Sequence, residues 1–407
     1  MARARATAFF TYKNKHAKND TSKSDCIFYL KKIKTQKMKY YIIAGEASGD
    51  LHGSNLMRAL YQEDANADIR FWGGDLMQEV GGTLVKHYRD LAFMGFAEVV
   101  MNLKTILNNI TFCKNDIEKF NPDVIIFIDY PGFNMRIAQW AKQKGIKTHY
   151  YIAPQIWAWK ENRIKAIKRD FDKLFVILPF EKDFFEVKHK FPVDFVGHPL
   201  IDAIHNRKQT DETQFRKENN LDEKPIIAIL PGSRKQEISK MLSVMLSVTN
   251  DFKDYQFVIA GAPSQEFEFY KQFLTNKNVK FVSNKTYDLL SFATAALVTS
   301  GTATLETALF KVPEVVCYKG NWISYQIAKR IITLKYISLV NLIMDKQVVT
   351  ELIQDDCNPK RIKEELAKLL EINHRNHLLA EYDILETKLG GIGASQKTAQ
   401  LIVKEII

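Results

Sequence analysis

Short apolar runs alternate along the chain with longer segments whose apolar positions recur every three or four residues. The runs at 39–44, 124–129, 148–152, 174–178 and 193–196 predict one series of buried strands. Those at 226–230, 256–260, 279–282, 296–299 and 314–318 predict a second. Runs this uniformly apolar fit parallel sheets covered on both faces, and the intervening amphipathic segments supply the covering helices. The hydrophilic stretch 205–224 separates the two series, and from about 359 onward only helical spacing remains. The pattern therefore predicts an α/β protein of two doubly wound, Rossmann-like domains. The boundaries are 1–37 for a leader, 38–203 and 204–365 for the domains, and 366–407 for terminal helices.

Composition refines this picture more than it changes it. With 407 residues, 46% hydrophobic and 26% charged, the chain suits two globular domains. No window approaches 18 apolar residues, which argues against a spanning helix. Four scattered cysteines without ligand spacing argue against a disulfide framework or a zinc site and for a reducing compartment. Residues 1–37 carry ten Lys and Arg against two Asp, so +8 of the net +11 lies there and only +3 in the rest. That weakens a nucleic-acid role. Met38 stands directly before the first strand, so the leader reads as disordered or as an upstream extension; a lipid-touching basic tail is the alternative.

Ligands of open α/β sheets gather at the carboxyl ends of strands, so the strand–loop junctions are the candidate sites. In 228–238 the turn Pro231-Gly232-Ser233 leads into a helix beginning near Arg234, with Ser233 as its cap. It is either an anion site of amides plus guanidinium or an ordinary turn with a solvated arginine. In 298–309, Ser300, Gly301 and Thr302 open another helix, with Glu306 one turn inside. Diphosphate on the amides and ribose on the carboxylate is one reading; a charge favourable to the helix start is the other. Neither a Walker A motif nor GxGxxG is present. In the first half, Asp129 ends a strand before Pro131-Gly132, as a general base or as a turn former. Gln155, Trp157 and Trp159 follow another strand, as packing or as a sugar or acyl pocket. His198 reads as structural, and Asp170-x-Asp172 lies at the wrong end of the sheet for a metal. Glu46 and Ser48 lie in a Gly/Ser turn after the first strand, with a helix start expected at Asp50. Finally, Phe96, Val99, Val100, Leu103 and Leu107 share helical spacing, for the core or for a bilayer surface.

Taken together, AGEASGDLHG, MGFAEV, PDVIIFIDYPGFN, GIKTHYYIAPQIWAWK, FVGHPL, LPGSR, SGTATLE, AKR (328–330) and YISLVNLI resemble the lipid A disaccharide synthase family across roughly 38–355. The resemblance implies a GT-B glycosyltransferase: two Rossmann-like domains facing a cleft, with the terminal helices packing back on the first. It implies inverting transfer of 2,3-diacylglucosamine from UDP-2,3-diacylglucosamine to 2,3-diacylglucosamine 1-phosphate, without metal or cofactor, at the cytoplasmic face of the inner membrane. A homodimer is compatible with it. It makes Asp129 the candidate base with Glu46 in the same cleft, and assigns Arg234 and Asn341, with Gly232, Ser233, Ser300, Gly301, Thr302 and Glu306, to the nucleotide-sugar side. Ser48, Gln155 and Trp157 then belong to the acceptor side, and the helix at 94–107 to the lipid surface. Where the family commonly carries a second acid, this chain has Tyr130-Pro131-Gly132, so that acid's role is unsupported. The rival readings are another GT-B enzyme, such as a UDP-sugar epimerase, and a non-catalytic nucleotide- or lipid-binding protein.

Overall fold

The computed structural model describes residues 37–91, 103–262, 265–274, 279–320 and 335–406. The leader, Phe96, Val99, Val100 and the 328–330 stretch lie outside the described residues, and of Leu103 only the backbone is described.

Strands β1 (Lys39–Ala44), β2 (Asp68–Gly73), β3 (Thr83–His87), β4 (Val124–Ile128), β5 (Lys147–Tyr151), β6 (Lys173–Val176) and β7 (Asp194–Phe195) form one parallel sheet in the order β3-β2-β1-β4-β5-β6-β7. A second parallel sheet joins β8 (Ile226–Leu230), β9 (Gln256–Gly261), β10 (Val279–Ser283), β11 (Ala293–Thr299), β12 (Glu314–Tyr318) and β13 (Thr350–Ile353) in the order β10-β9-β8-β11-β12-β13. Alternation within β1 shows why the runs are wholly apolar. Tyr40, Ile42 and Ala44 enter one core while Tyr41 and Ile43 enter the other, so neither face can be polar.

The helices that matter for the site are α1 (Ala47–Glu63), α2 (Asp75–Val80), α3 (Leu103–Phe120), α4 (Pro131–Gln143), α5 (Pro199–His205), α6 (Lys235–Leu246), α7 (Thr286–Phe292), α8 (Thr302–Leu309), α9 (Leu339–Met344), α10 (Pro359–Leu370), α11 (Ile372–Lys388) and α12 (Ala394–Ile406). Helix α1 begins at Ala47 with Glu46 as its cap residue, three positions before the expected start at Asp50. Asp50 is instead buried in the helix and turned outward to its neighbour. Its carboxylate accepts the N–H groups of Gly74 (2.7 Å), Met77 (3.0 Å) and Leu76 (3.1 Å), satisfying the open start of α2.

Of the terminal helices expected to return, α12 packs back on the first domain, whereas α11 runs along the second, where Lys346 pairs with Glu381 and Lys311 with Asp383 and Glu386. Gln396 of α12 donates to Glu63 of α1 at 2.6 Å, and Lys147 of β5 donates to the Glu405 carbonyl at 2.8 Å. Where the chain crosses over, the amides of Gly393 and Ser395 donate to the Asp202 carboxylate at 2.7 and 2.8 Å. Ala399 and Ile402 are fully buried in the apolar cluster that holds Leu56 and Leu60 of α1 and reaches Leu305 and Leu309 of α8.

Candidate active site

In each sheet the strand order reverses between two neighbours, β1 and β4 in the first and β8 and β11 in the second. Loops leaving such a pair diverge to opposite faces and open a crevice at the carboxyl ends. Register fixes which residues line it: Ala44 pairs with Ile128, and Leu230 with Val298. Glu46 and Asp129 therefore leave adjacent strands side by side in the first sheet. The Gly232-Ser233 and Ser300–Thr302 turns do the same in the second.

The β4–α4 turn is bent sharply. Asp129 and Tyr130 are consecutive non-glycine residues with φ of 44° and 51°, a left-handed pair of the kind that costs about 1–3 kcal/mol per residue. Surrounding groups hold it. The Asp129 carbonyl accepts the Asn134 carboxamide (2.6 Å) and the Tyr150 hydroxyl (2.8 Å), while the Tyr130 carbonyl accepts the Asn134 amide (3.1 Å). The Tyr130 ring stacks on Phe133 with centroids 5.6 Å apart and lies flat against Gly45, where a Cβ would meet it at 2.3 Å. Gly45 thus admits the ring that walls this end of the site. Burial, first, and the neighbouring Glu46 carboxylate, second, raise the Asp129 carboxyl to about 6; the Tyr130 N–H opposes them. A carboxylate poised there accepts a proton more readily than an ordinary aspartate while remaining mostly ionised at neutral pH. Glu46 and Ser48 are exposed beside it.

Gln155 is exposed after β5, but Trp157 is half-buried and its indole N–H is used internally. It donates to Glu181 at 3.0 Å and meets Phe180 edge-on at 4.8 Å. Glu181 had no sequence signal. It also accepts the amides of Leu178 (2.9 Å) and Ile177 (3.1 Å), and burial raises its carboxyl to about 7. Trp157 can therefore offer a ring face but no donor. His198 is buried and structural: its Nδ1 accepts the Leu200 amide at 3.2 Å, and burial lowers it to about 3. Asp172 is held by the Thr148 amide at 3.0 Å and paired with Lys142, and Arg169 binds Asp170 through two bonds of 2.6 and 2.7 Å. Among the described residues no group of His, Cys, Asp or Glu is arranged to hold a metal ion.

In the second sheet, Gly232, Ser233, Ser300, Gly301, Thr302 and Glu306 line one cavity of about 230 Å³. Its details differ from the expectation in three ways. Helix α6 starts at Lys235 with Arg234 as the cap residue, and it is Glu237 that reaches back, accepting the Ser233 amide at 3.2 Å. Gly232 sits at φ +102°, where a Cβ would lie 2.2 Å from the Glu237 carboxylate. The Ser300 amide is bound within the sheet to Cys317 O at 3.2 Å, and its hydroxyl donates to Ile337 O at 2.9 Å, which leaves the α8 start at Gly301 and Thr302 for an anion. Asn341, finally, does not face the cavity. It is fully buried, donating to Val349 O (2.9 Å) and Glu351 (2.8 Å) and accepting the amides of Val348 (2.7 Å) and Val349 (2.9 Å). Every hydrogen-bonding position of its carboxamide is filled, so it shapes the backbone after α9 without touching a ligand. Arg234 is exposed beside Ser233. Glu306 is half-buried, raised by burial, with Tyr287 donating to it at 2.9 Å.

Known proteins resemble this chain at two depths. Solved structures of UDP-GlcNAc 2-epimerase from Neisseria meningitidis bound to UDP-GlcNAc (TM-score 0.66, 15% identity, 90% of this chain and 100% of that one) and of a glycosyltransferase from Rickettsia africae (TM-score 0.54, 13% identity, 91% and 99%) share the fold. In sequence, the lipid-A-disaccharide synthase of Idiomarina loihiensis is 39% identical over 91% of this chain and 98% of its own length. Those of Syntrophus aciditrophicus (38%, 88% and 95%) and Coxiella burnetii (36%, 89% and 96%) are similarly related. The profile described as lipid-A-disaccharide synthetase matches residues 40–404. With both sheets, both switch points and the returning helix α12 inside that match, the chain belongs to the lipid-A-disaccharide synthase family, glycosyltransferases of lipid A biosynthesis.

Proposed function

We propose that the chain transfers 2,3-diacylglucosamine from UDP-2,3-diacylglucosamine to 2,3-diacylglucosamine 1-phosphate, giving lipid A disaccharide 1-phosphate and UDP. The observation that carries the mechanism is the Asp129–Glu46 pair at the first switch point, with the Asp129 carboxyl raised to about 6. Asp129 takes the proton of the acceptor's 6-hydroxyl as that oxygen bonds to the anomeric carbon. The bond from that carbon to the diphosphate breaks, and UDP leaves with the electron pair from the opposite face, inverting the configuration. Negative charge grows on the diphosphate, where Arg234 and the Gly301 and Thr302 amides would stabilise it. Glu306 suits the ribose hydroxyls. Glu46, exposed beside Asp129, serves to orient the acceptor and to tune Asp129.

Residues 38–203 would then be the acceptor domain and 204–365 the nucleotide-sugar domain, with α11 extending the second and α12 returning to the first. Two acylated substrates call for peripheral docking at the cytoplasmic face of the inner membrane. Exposed Leu107 (59%) and Trp159 (59%), the latter with Lys160 Nζ 3.8 Å above its ring, support that reading. No helix among the described residues is long and apolar enough to cross a membrane. Incubation of the purified protein with both substrates should release UDP and the disaccharide; a folded enzyme yielding neither refutes the assignment. Sedimentation with anionic liposomes tests docking, and a Leu107→Ser/Trp159→Ser variant that sediments unchanged removes those residues from it.

A further inference from the structure

A second cavity, about 700 Å³ against about 230 Å³ in the nucleotide-side pocket, lies between α1, α5, the start of α12 and Tyr287 of α7. That volume is in the usual range for small-molecule sites. Its polar groups point to one chemistry. Arg58 projects from α1 and Arg207 from the segment after α5, and neither forms an ion pair among the described residues. Among the described residues Arg58 makes two long contacts, both 3.3 Å, to Ser54 and Asn55. Arg207 donates to Ile204 O (2.7 Å) and Ser291 (3.0 Å) and lies over the Phe310 ring at 4.7 Å, a cation–π contact that fixes its plane and leaves it without a carboxylate. Asn55, in the same lining, is buried to 8% exposure, its oxygen turned to Arg58 and its Nδ2 donor without a partner among the described residues. The one acid in the lining, Asp202, is already answered by the Gly393 and Ser395 amides.

Two guanidiniums lacking carboxylates and a buried idle amide donor around a roomy cavity make an acceptor-seeking site. We propose that this groove binds a phosphate-bearing small molecule, with Arg58 and Arg207 on the phosphate and Asn55 donating to the same group or to an adjoining hydroxyl. The occupant would touch both domains, because Tyr287 lines the groove with its ring and donates its hydroxyl to Glu306 in the nucleotide-side pocket. Occupancy would thereby alter donor affinity; this second half rests on the proposed role of Glu306, while binding itself does not.

The test is calorimetric titration of the full chain, held in saturating UDP, with inorganic phosphate and separately with glucose 1-phosphate. Binding of either that weakens by at least about tenfold in Arg58→Glu supports the site. Glucose 1-phosphate binding more tightly identifies a sugar phosphate, and phosphate alone identifies the free ion. Arg58 is exposed and weakly tied, so Arg58→Glu leaves the fold intact, and circular dichroism checks that. Arg207→Ala should weaken binding in parallel. No binding of either probe, or binding unchanged in Arg58→Glu, overturns the proposal. Because turnover is never measured, a failed transferase assay leaves the result intact, and a failed titration leaves the transferase assignment intact.

Discussion

Replacing Glu46 by Gln should move the acid limb of the pH–rate profile downward. The Asp129 carboxyl stands at about 6 because burial, and after it the Glu46 charge, penalise its ionised form. Glu46 and Asp129 leave strands paired at Ala44 and Ile128, so neighbouring-strand spacing of about 4.8 Å puts their carboxylates roughly 6 Å apart. Glu46 is exposed, so an effective dielectric constant of about 60 is appropriate, and the repulsion is then about 0.9 kcal/mol. That corresponds to a midpoint lower by about 0.7 pH in Glu46→Gln, with burial holding it above an ordinary aspartate. The sign is definite. The base acts ionised, so activity rises as pH passes the midpoint, and removing a neighbouring negative charge makes ionisation easier. The assay is UDP release in detergent micelles with acceptor well below its KM, so that the profile follows kcat/KM and reports the unliganded enzyme, as initial rates from about pH 4.5 to 8.5. A midpoint that stays put or moves up in Glu46→Gln, with the enzyme still active, would refute Asp129 as the titrating base or Glu46 as its neighbour.

Asp129→Asn should cost about 10²–10⁴ in kcat, yet raise the melting temperature at neutral pH. A carboxyl raised from 3.8 to about 6 weakens the fold progressively as pH climbs from about 3.8 to about 6, by at most about 3 kcal/mol and about 1 after solvent screening; a gain in melting temperature that grows between about pH 4 and 6 and is level above about pH 7 is the expected pattern. Gly232→Ala combines a φ of +102° with a Cβ 2.2 Å from Glu237, so it should raise the donor KM several-fold and destabilise by about 1–2 kcal/mol, read by UDP titration and thermal melting. Asn341→Ala leaves the Val348 and Val349 amides without their partner and removes one of the three donors to Glu351 among the described residues, and urea unfolding should show a loss of about 2–4 kcal/mol.

The uniformly apolar strands were legible in the sequence because burial on both faces leaves no alternation to confuse. The three that gave no signal, β2, β3 and β13, fail for physical reasons. β2 carries Arg70, which sits in a strand because Asp116 of α3 binds it through two bonds of 2.6 and 2.8 Å, a partner 46 residues away. β3 and β13 are edge strands with half-buried, mixed residues. The candidate residues lay at the right junctions because strand ends are visible as composition. What each side chain does there was not visible. Two consecutive left-handed residues at Asp129 and Tyr130 are enforced by Tyr150 and Asn134 from outside the turn, and Glu237 and Glu181 act on backbone amides that only the folded loops bring near. Asn341 shows the converse: its motif is recognisable, but its carboxamide is consumed by its own surroundings.

The position of α12 governs how the protein can be made. The helix that seals Leu56 and Leu60 is the last described element to leave the ribosome, about 340 residues after α1 ends at Glu63. At about 5–20 residues per second, that apolar face waits roughly 20–70 s for its cover. The second domain can close during this interval while the first cannot, so chaperone demand falls on the part of the chain synthesised first. A premature stop near the C-terminus would likewise damage the domain encoded at the other end of the gene, leaving the nucleotide-side pocket formed beside an unsealed first sheet.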